Sequence, residues 1–367
     1  MKILYVTTVG LTMTFFSSII RELLDKGHTV DIACNERDSQ VPDCYRDWGC
    51  GIHRIDCVRT PFAAGNARAV GQIRRLVREN GYGIVHCHTP IAAACTRLAC
   101  KNLHKEGVRV FYTAHGFHFY KGAPLKSWLL YYPIEKLCAH FTDTLITINR
   151  EDYALAKRKM KAGQVVYVPG VGIDVDKFRN TVVDRPAKRK ELGIPEDAFL
   201  LLSVGELNEN KNHQIVIRTL AELNDPSIHY AIAGNGALAE YLTALAEQLG
   251  VVDRVHLLGY RRDVAELYKT ADVDVFPSIR EGLGLAAIEG MAAGMPLICS
   301  DNRGTRDYAV NGMNALVCGN VGDYAEAISR LRVDHQLREE LGRAGSQSAE
   351  RFSVGEVNRE MLRMYGE

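Results

Sequence analysis

The sequence predicts an α/β protein made of two tandem parallel sheets, and three observations predict it. Short apolar runs of strand length alternate with helical stretches along the chain. The alternation pauses once, where Pro and Gly gather at Tyr167-Val168-Pro169-Gly170-Val171-Gly172, and then restarts. At 367 residues the chain also exceeds the roughly 100–200 residues of one ordinary domain, so each half can bury its own core.

In the first half the expected strands are Ile3–Thr7, Thr29–Cys34, Gly51–Ile55, Ile84–His88, Val108–Thr113 and Thr144–Asn149. Helices are expected between them, for example Phe15–Lys26, which the Gly27-His28 pair closes, and Ala67–Glu79. The polar stretch Asp174–Glu191 reads as a linker. Beyond it the strands are Phe199–Val204, His229–Ala233, Val255–Leu258, Val273–Phe276, Pro296–Cys299 and Ala315–Val317. Asn212–Leu223, Ala237–Leu249 and Gly284–Ala293 are the helices among them. The domains are therefore placed at 1–168 and 169–353, with a last helix, 354–367, returning to the first domain. Open parallel sheets bind ligands beyond their strand C-terminal ends, here in a cleft between the two domains.

Composition excludes several classes. With 47% hydrophobic and 24% charged residues the chain is neither disordered nor fibrous. No run approaches the roughly 18 apolar residues of a membrane span, and Met1–Val6 is too brief for a signal peptide. The ten cysteines lack paired spacing and read as reduced, cytosolic core residues. Net charge is +1, yet residues 1–170 hold 23 Lys and Arg against 14 Asp and Glu, and the remainder holds 22 against 30. The basic half, with Arg68, Arg74, Arg75 and Arg78 on one helix, suits peripheral contact with an anionic membrane, or is simply a solvated face.

The main chemical signal is Glu281-Gly282-Leu283-Gly284-Leu285-Ala286-Ala287-Ile288-Glu289, after Phe276-Pro277-Ser278 at a strand end. The backbone N–H groups near Gly284 open a helix and suit a diphosphate. Glu289 then fits a ribose diol and Glu281 the hydroxyls of a sugar, because two O–H donors match two carboxylate oxygens. A capped amphipathic helix with incidental glutamates is the alternative. Lys211, just past a strand end, suits a leaving diphosphate better than a helix start.

These residues resemble the paired-glutamate motif of the family 4 glycosyltransferases of the GT-B fold, over nearly the whole chain from Thr7–Gly10 to Arg351-Phe352-Ser353. Ser203-Val204-Gly205-Glu206-Leu207-Asn208-Glu209-Asn210-Lys211-Asn212-His213 is similar to that family's donor-phosphate loop. Thr113-Ala114-His115-Gly116-Phe117-His118-Phe119-Tyr120-Lys121-Gly122 resembles a subgroup acting in capsular and exopolysaccharide assembly. The resemblance implies an acceptor-side first domain, a donor-binding second domain, and retaining, metal-independent transfer without a cofactor. The expected activity moves a hexose or N-acetylhexosamine from a nucleotide-diphosphate sugar, expected to be UDP-linked, to a lipid-linked or saccharide acceptor. Nucleic acid is not an expected partner, and the expected location is cytoplasmic, peripheral to the membrane.

By the same resemblance His115 meets the donor sugar, with His118 a second choice, and Glu206 stands where the family usually has Arg. Either Glu206 turns away or it binds Lys211 or a hydroxyl, and Arg261 or Arg262, just after the Val255–Gly259 strand, is the candidate for the missing cation. Gly10, Gly234, Asn235, Gly236, Gly282, Leu283 and Leu285 complete the expected donor contacts. Gly234 and Gly236 would admit a nucleotide to the backbone or make a left-handed turn. His86-Cys87-His88 lacks a second ligand cluster, so no metal is expected. The aromatic stretch Phe117–Tyr132, with Lys121 and Lys126, fits either a lipid boundary or a packed core. Two other readings stay open: a nucleotide-sugar epimerase of the same fold, and a non-catalytic nucleotide-sugar-binding component. An NAD-dependent oxidoreductase is disfavoured, since no glycine fingerprint opens either half.

Overall fold

The structure is a computed structural model and describes residues 1–37 and 39–366. Two compact units divide it: Met1–Val171 with the segment from Val357 onward, and Gly172–Glu356.

The first unit runs β1 (Lys2–Val9), α1 (Ser17–Asp25), β2 (Thr29–Asn35), α2 (Cys44–Asp47), β3 (Ile52–Arg54), α3 (Ala64–Asn80), β4 (Ile84–His88) and α4 (Pro90–Cys100). It continues through β5 (Arg109–Ala114), α5 (Leu125–Ala139), β6 (Thr144–Thr147), α6 (Arg150–Lys159) and β7 (Gln164–Tyr167). Its seven strands are all parallel, in the order β3-β2-β1-β4-β5-β6-β7. Helices cover both faces of such a sheet, which is why β1 reads as a continuous apolar run and is buried from Ile3 to Val9. The order reverses direction between β1 and β4.

The second unit runs α7 (Val175–Asn180), α8 (Arg185–Glu191), β8 (Phe199–Val204), α9 (His213–Leu223), β9 (Ile228–Ala233), α10 (Ala239–Gln248), β10 (Val255–Gly259) and α11 (Val264–Thr270). β11 (Val273–Phe276), α12 (Leu285–Ala292), β12 (Leu297–Ser300), β13 (Leu316–Cys318), α13 (Val321–Val333) and α14 (His335–Ala349) follow. Six parallel strands lie in the order β10-β9-β8-β11-β12-β13, with the reversal between β8 and β11. A last helix, α15 (Val354–Tyr365), lays Val357, Met361 and Tyr365 into the first unit's core beside Ile3, Tyr5 and Phe111. Its Tyr365 hydroxyl lies 2.6 Å from that of Tyr5.

The two doubly wound sheets are those expected, with two corrections. Asp174–Glu191 is not a linker but the helices α7 and α8, whose N-caps are Asp174 and Asp184, accepting from the N–H groups of Lys177 and Ala187. Its polarity misled because these short helices bury little, chiefly Val175, Phe178 and Arg189. An unexpected seventh strand, β7, sits at the sheet edge, only half-buried over Val165–Tyr167. No helix among the described residues is long and apolar enough to cross a membrane. None of the ten cysteines is paired, and nine are buried.

Candidate active site

In the second unit the candidate side chains gather at the β8/β11 reversal, where the loops after the two strands must diverge and leave a crevice. After β8 the chain makes a single helical turn, Glu209–Lys211, capped by Asn208, whose Oδ1 accepts from the Lys211 N–H at 3.0 Å. Asn212 then takes a left-handed conformation (φ 52°) before α9. Three hydrogen bonds stitch this turn to the loop after β11. Ile279 N–H donates to Asn210 O at 2.8 Å, and Asn210 Nδ2 donates to Arg280 O at 2.8 Å. Asn212 Nδ2 reaches Pro277 O at 3.4 Å.

The stitched loops bring Lys211 Nζ to 2.7 Å from Glu281 Oε1. The Phe276 ring, 5.0 Å from the ammonium, backs it. Glu206 does not share the pair; it is exposed. Arg261 is not an available cation either. Its guanidinium donates to Asp263 and Glu191, and those carboxylates hold it more firmly protonated than usual. The cation that sequence reasoning missed is Arg303, 6% exposed, whose Nε donates to the Glu281 carbonyl at 3.1 Å. Only the loop after β12, packed under Glu281, brings it there.

Gly282-Leu283-Gly284-Leu285 forms the entry to α12. Leu283 is buried, and Gly284 has φ 92°; a Cβ there would lie 2.8 Å from the Phe276 ring. Ala287 N–H turns back to the Gly284 carbonyl at 3.2 Å, while the N–H groups ahead of it, of Leu285 and Ala286, have no acceptor within the helix and face an anion favourably. Glu289, on the second turn, is half-buried; desolvation lifts its carboxyl to about 7, against a smaller opposing effect of Lys177. Asp274 on β11 is fully buried, and burial, then Glu289, pushes its carboxyl well above the usual range. It presses on Gly290, where a Cβ would lie 2.1 Å from Oδ2. Asp274 was hidden to sequence reasoning within an apolar strand.

Gly234 and Gly236, flanking Asn235, do not make the left-handed turn that was one of the two expected reasons for them. Neither has a positive φ. A Cβ on Gly234 would lie 1.8 Å from the Gly205 carbonyl oxygen, and one on Gly236 2.3 Å from that of Leu207. The loop after β9 lies directly against the loop after β8, and Asn235 O accepts from Leu207 N–H at 2.9 Å.

In the first unit the reversal falls between β1 and β4. Thr8 and Val9 end β1 as strand, not loop, and a 3₁₀ turn begins at Gly10. A Cβ on Gly10 would meet the backbone of Gln40 and Val41 at 2.5 Å. Thr89, at φ 63°, is a strained β-branched residue; its hydroxyl lies 2.6 Å from that of Thr8. His115, beyond β5, reaches His88 Nδ1 through Nε2 at 3.2 Å. Burial lowers His115 to about 4, so its ring is neutral at pH 7. His118 stacks on Tyr131 with ring centroids 4.4 Å apart. His86 spends both nitrogens on Tyr365 and Thr113, and no group of three or more His, Cys, Asp or Glu among the described residues could hold a metal. His88 was weighed only as a metal ligand and Thr89 not at all, though the Thr89-Pro90 pair marks the same strand end.

The family described as glycosyl transferases group 1 matches residues 184–348, and that described as glycosyl transferase 4-like matches residues 2–149. EpsD of Bacillus subtilis (strain 168), provisionally named a glycosyltransferase, is 41% identical over 371 residues, covering 99% of this chain and 96% of that protein. The chain belongs to the family 4 glycosyltransferases. Another relative of this glycosyltransferase is 29% identical over 71% of the chain and 69% of its own length. It is an Escherichia coli enzyme named for moving galactose from UDP-Gal to GlcNAc-diphosphoundecaprenol in α-1,3 linkage. The GT-B fold is shared with Anabaena HepE, solved with UDP and glucose, at a TM-score of 0.82 and 17% identity, each chain covered in full.

Proposed function

We propose that this glycosyltransferase moves a hexose or N-acetylhexosamine from a UDP-sugar to a lipid-linked saccharide, with retention and without a metal, in surface polysaccharide assembly. The observation that carries this reading is the 2.7 Å pair of Lys211 and Glu281 beside the N-terminus of α12. A cation, a set of backbone N–H donors and two carboxylates at one strand reversal match the parts of a nucleotide-diphosphate sugar. Lys211 and the first turn of α12 take the diphosphate. Glu281, released as Lys211 turns to phosphate, accepts from sugar hydroxyls, and Glu289 accepts from the ribose diol. His115, neutral, serves the sugar as a hydrogen-bonding partner.

In the transfer step the bond from C1 to the diphosphate oxygen breaks as the acceptor oxygen bonds C1 on the same face. The departing phosphate oxygen takes the acceptor's proton, so no side-chain nucleophile is required. Lys211 and the helix N–H groups stabilise the charge that grows on that oxygen. The polyprenyl-linked acceptor is supported by the E. coli relative's named substrate.

The test incubates the purified chain with a panel of UDP-sugars, with and without polyprenyl-diphosphate-linked saccharide, in EDTA. UDP release that requires the acceptor, and a product whose anomeric configuration matches the donor by NMR, are expected. Lys211→Ala should slow transfer about 100-fold or more, with an unchanged circular dichroism spectrum. Donor turnover without acceptor would replace the reading with an epimerase.

A further inference from the structure

The first unit holds an apolar groove of about 460 Å³ between α3, α4 and α5. Phe62, Val70, Ile91, Leu98, Leu130 and Ile134 are among its walls. The acid on its lining, Glu135, is neutralised: Arg97 pairs with it at 2.8 Å and the Tyr112 hydroxyl donates to it at 3.0 Å. The groove shares Pro90, Ile91 and Tyr131 with a second cavity of about 310 Å³, which adds Thr8, Thr89, Arg59 and His118. That cavity opens at the β1/β4 reversal, where parallel sheets present their ligands. Arg59 is exposed and pairs with no carboxylate among the described residues. The groove's surroundings are unusually apolar for a surface: Phe62 is 81% exposed, Leu129 70% and Leu137 56%. Lys126 and Lys136 are exposed on the same helix, as long cationic side chains are beside a lipid boundary.

A polar cavity at the strand ends, lined by Arg59, that adjoins an apolar groove matches one kind of molecule, an amphiphile with an anionic head. We propose that the groove binds the isoprenoid chain of a polyprenyl-diphosphate-linked acceptor, with the diphosphate in the smaller cavity against Arg59. This rests on the lipid-linked acceptor of the reading above. The aromatic residues Trp128 and Tyr132, which the sequence left between lipid and core, are partly buried and pack against the core; aliphatic residues of α3, α4 and α5 line the groove.

The experiment uses the full chain and a farnesyl diphosphate bearing a terminal diazirine. Irradiation followed by peptide mass spectrometry is expected to label segments 90–98 and 130–138, and undecaprenyl diphosphate should compete. Two groove-filling variants, Ala94→Trp on α4 and Val70→Trp on α3, should each abolish this labelling. They should raise the KM for an undecaprenyl-linked acceptor about tenfold while leaving transfer to a lipid-free saccharide acceptor unchanged. Arg59→Ala should weaken both this labelling and the competition by undecaprenyl diphosphate. Labelling elsewhere, or unchanged KM in both folded variants, overturns the groove while the transferase reading stands. Dimerisation lost in the variants, with no labelling of the wild type, makes the groove an interface between copies and also overturns it. Transfer to soluble saccharides but to no polyprenyl-linked one removes the lipid-linked reading itself.

Discussion

At the scale of single residues, burial has displaced the ionisation of two carboxyls at the candidate site, Glu289 and Asp274. Glu289 accepts hydroxyl donors with both oxygens only when ionised, yet burial has lifted it to about 7. UDP should therefore bind more tightly as pH rises through 7, since the donor-ready form is then the populated one. Isothermal titration of UDP at pH 6 and pH 8 should show a several-fold gain in affinity, and Glu289→Gln should remove it and lower transfer by orders of magnitude. An equal affinity at both pH values would take Glu289 out of the ribose site. Gly234 makes a different demand. Its missing Cβ leaves room for the Gly205 carbonyl, and the added methyl of Gly234→Ala must push the loops after β8 and β9 apart. Overpacking of this kind costs about 1–3 kcal/mol, so a lower thermal midpoint is expected together with weaker UDP binding, because the same loop leads to Lys211.

At the scale of elements, α12 carries Gly284, Leu285 and Glu289 of the proposed donor site at its entry and second turn. Gly284 begins it with a left-handed backbone against the Phe276 ring. Gly284→Ala should strain that entry and tilt the first-turn N–H groups, lowering transfer far more than stability. Parallel kinetics and melting curves would check the split; an equal loss in both would mean a merely structural glycine. Here the limits of the sequence are visible. β4, β8 and β11 were legible to the residue because each is an apolar run bounded by turn residues. The position of Lys211 and Glu281 at strand ends was legible for the same reason. Their ion pair was not, because it depends on hydrogen bonds between loops 70 residues apart in sequence. Arg303 and Thr89 were missed because nothing local distinguishes them: one needs the β12 loop folded under Glu281, the other a strained backbone angle. α7 and α8 were hidden by their own polarity, which suits an exposed helix as well as a linker.

At the scale of the whole molecule, six of the twelve histidines are held neutral by burial: His86, His88, His115, His213, His229 and His256. They lie in both units. His86 falls to about 3, and His115, His213 and His256 to about 4, from an ordinary 6.5. A base whose folded pKa is depressed binds its proton only in the unfolded chain across the interval between the two values. Stability is then complete above pH 6.5 and declines as pH falls towards 4. Glu289 works in the opposite sense, since its raised value favours the folded state at low pH and loses that advantage as pH rises from 4.5 to 7. Two raised carboxyls, Glu289 and the buried Asp274, against six imidazoles leave the histidines dominant. The thermal midpoint should therefore fall by many degrees between pH 6.5 and 4.5, before ordinary surface carboxylates titrate. Calorimetry in buffers of differing ionisation enthalpy should show proton uptake on unfolding in that range. His86→Gln and His213→Gln should each flatten the slope, and a midpoint constant from pH 6.5 to 4.5 would mean that these rings are not buried neutral at all.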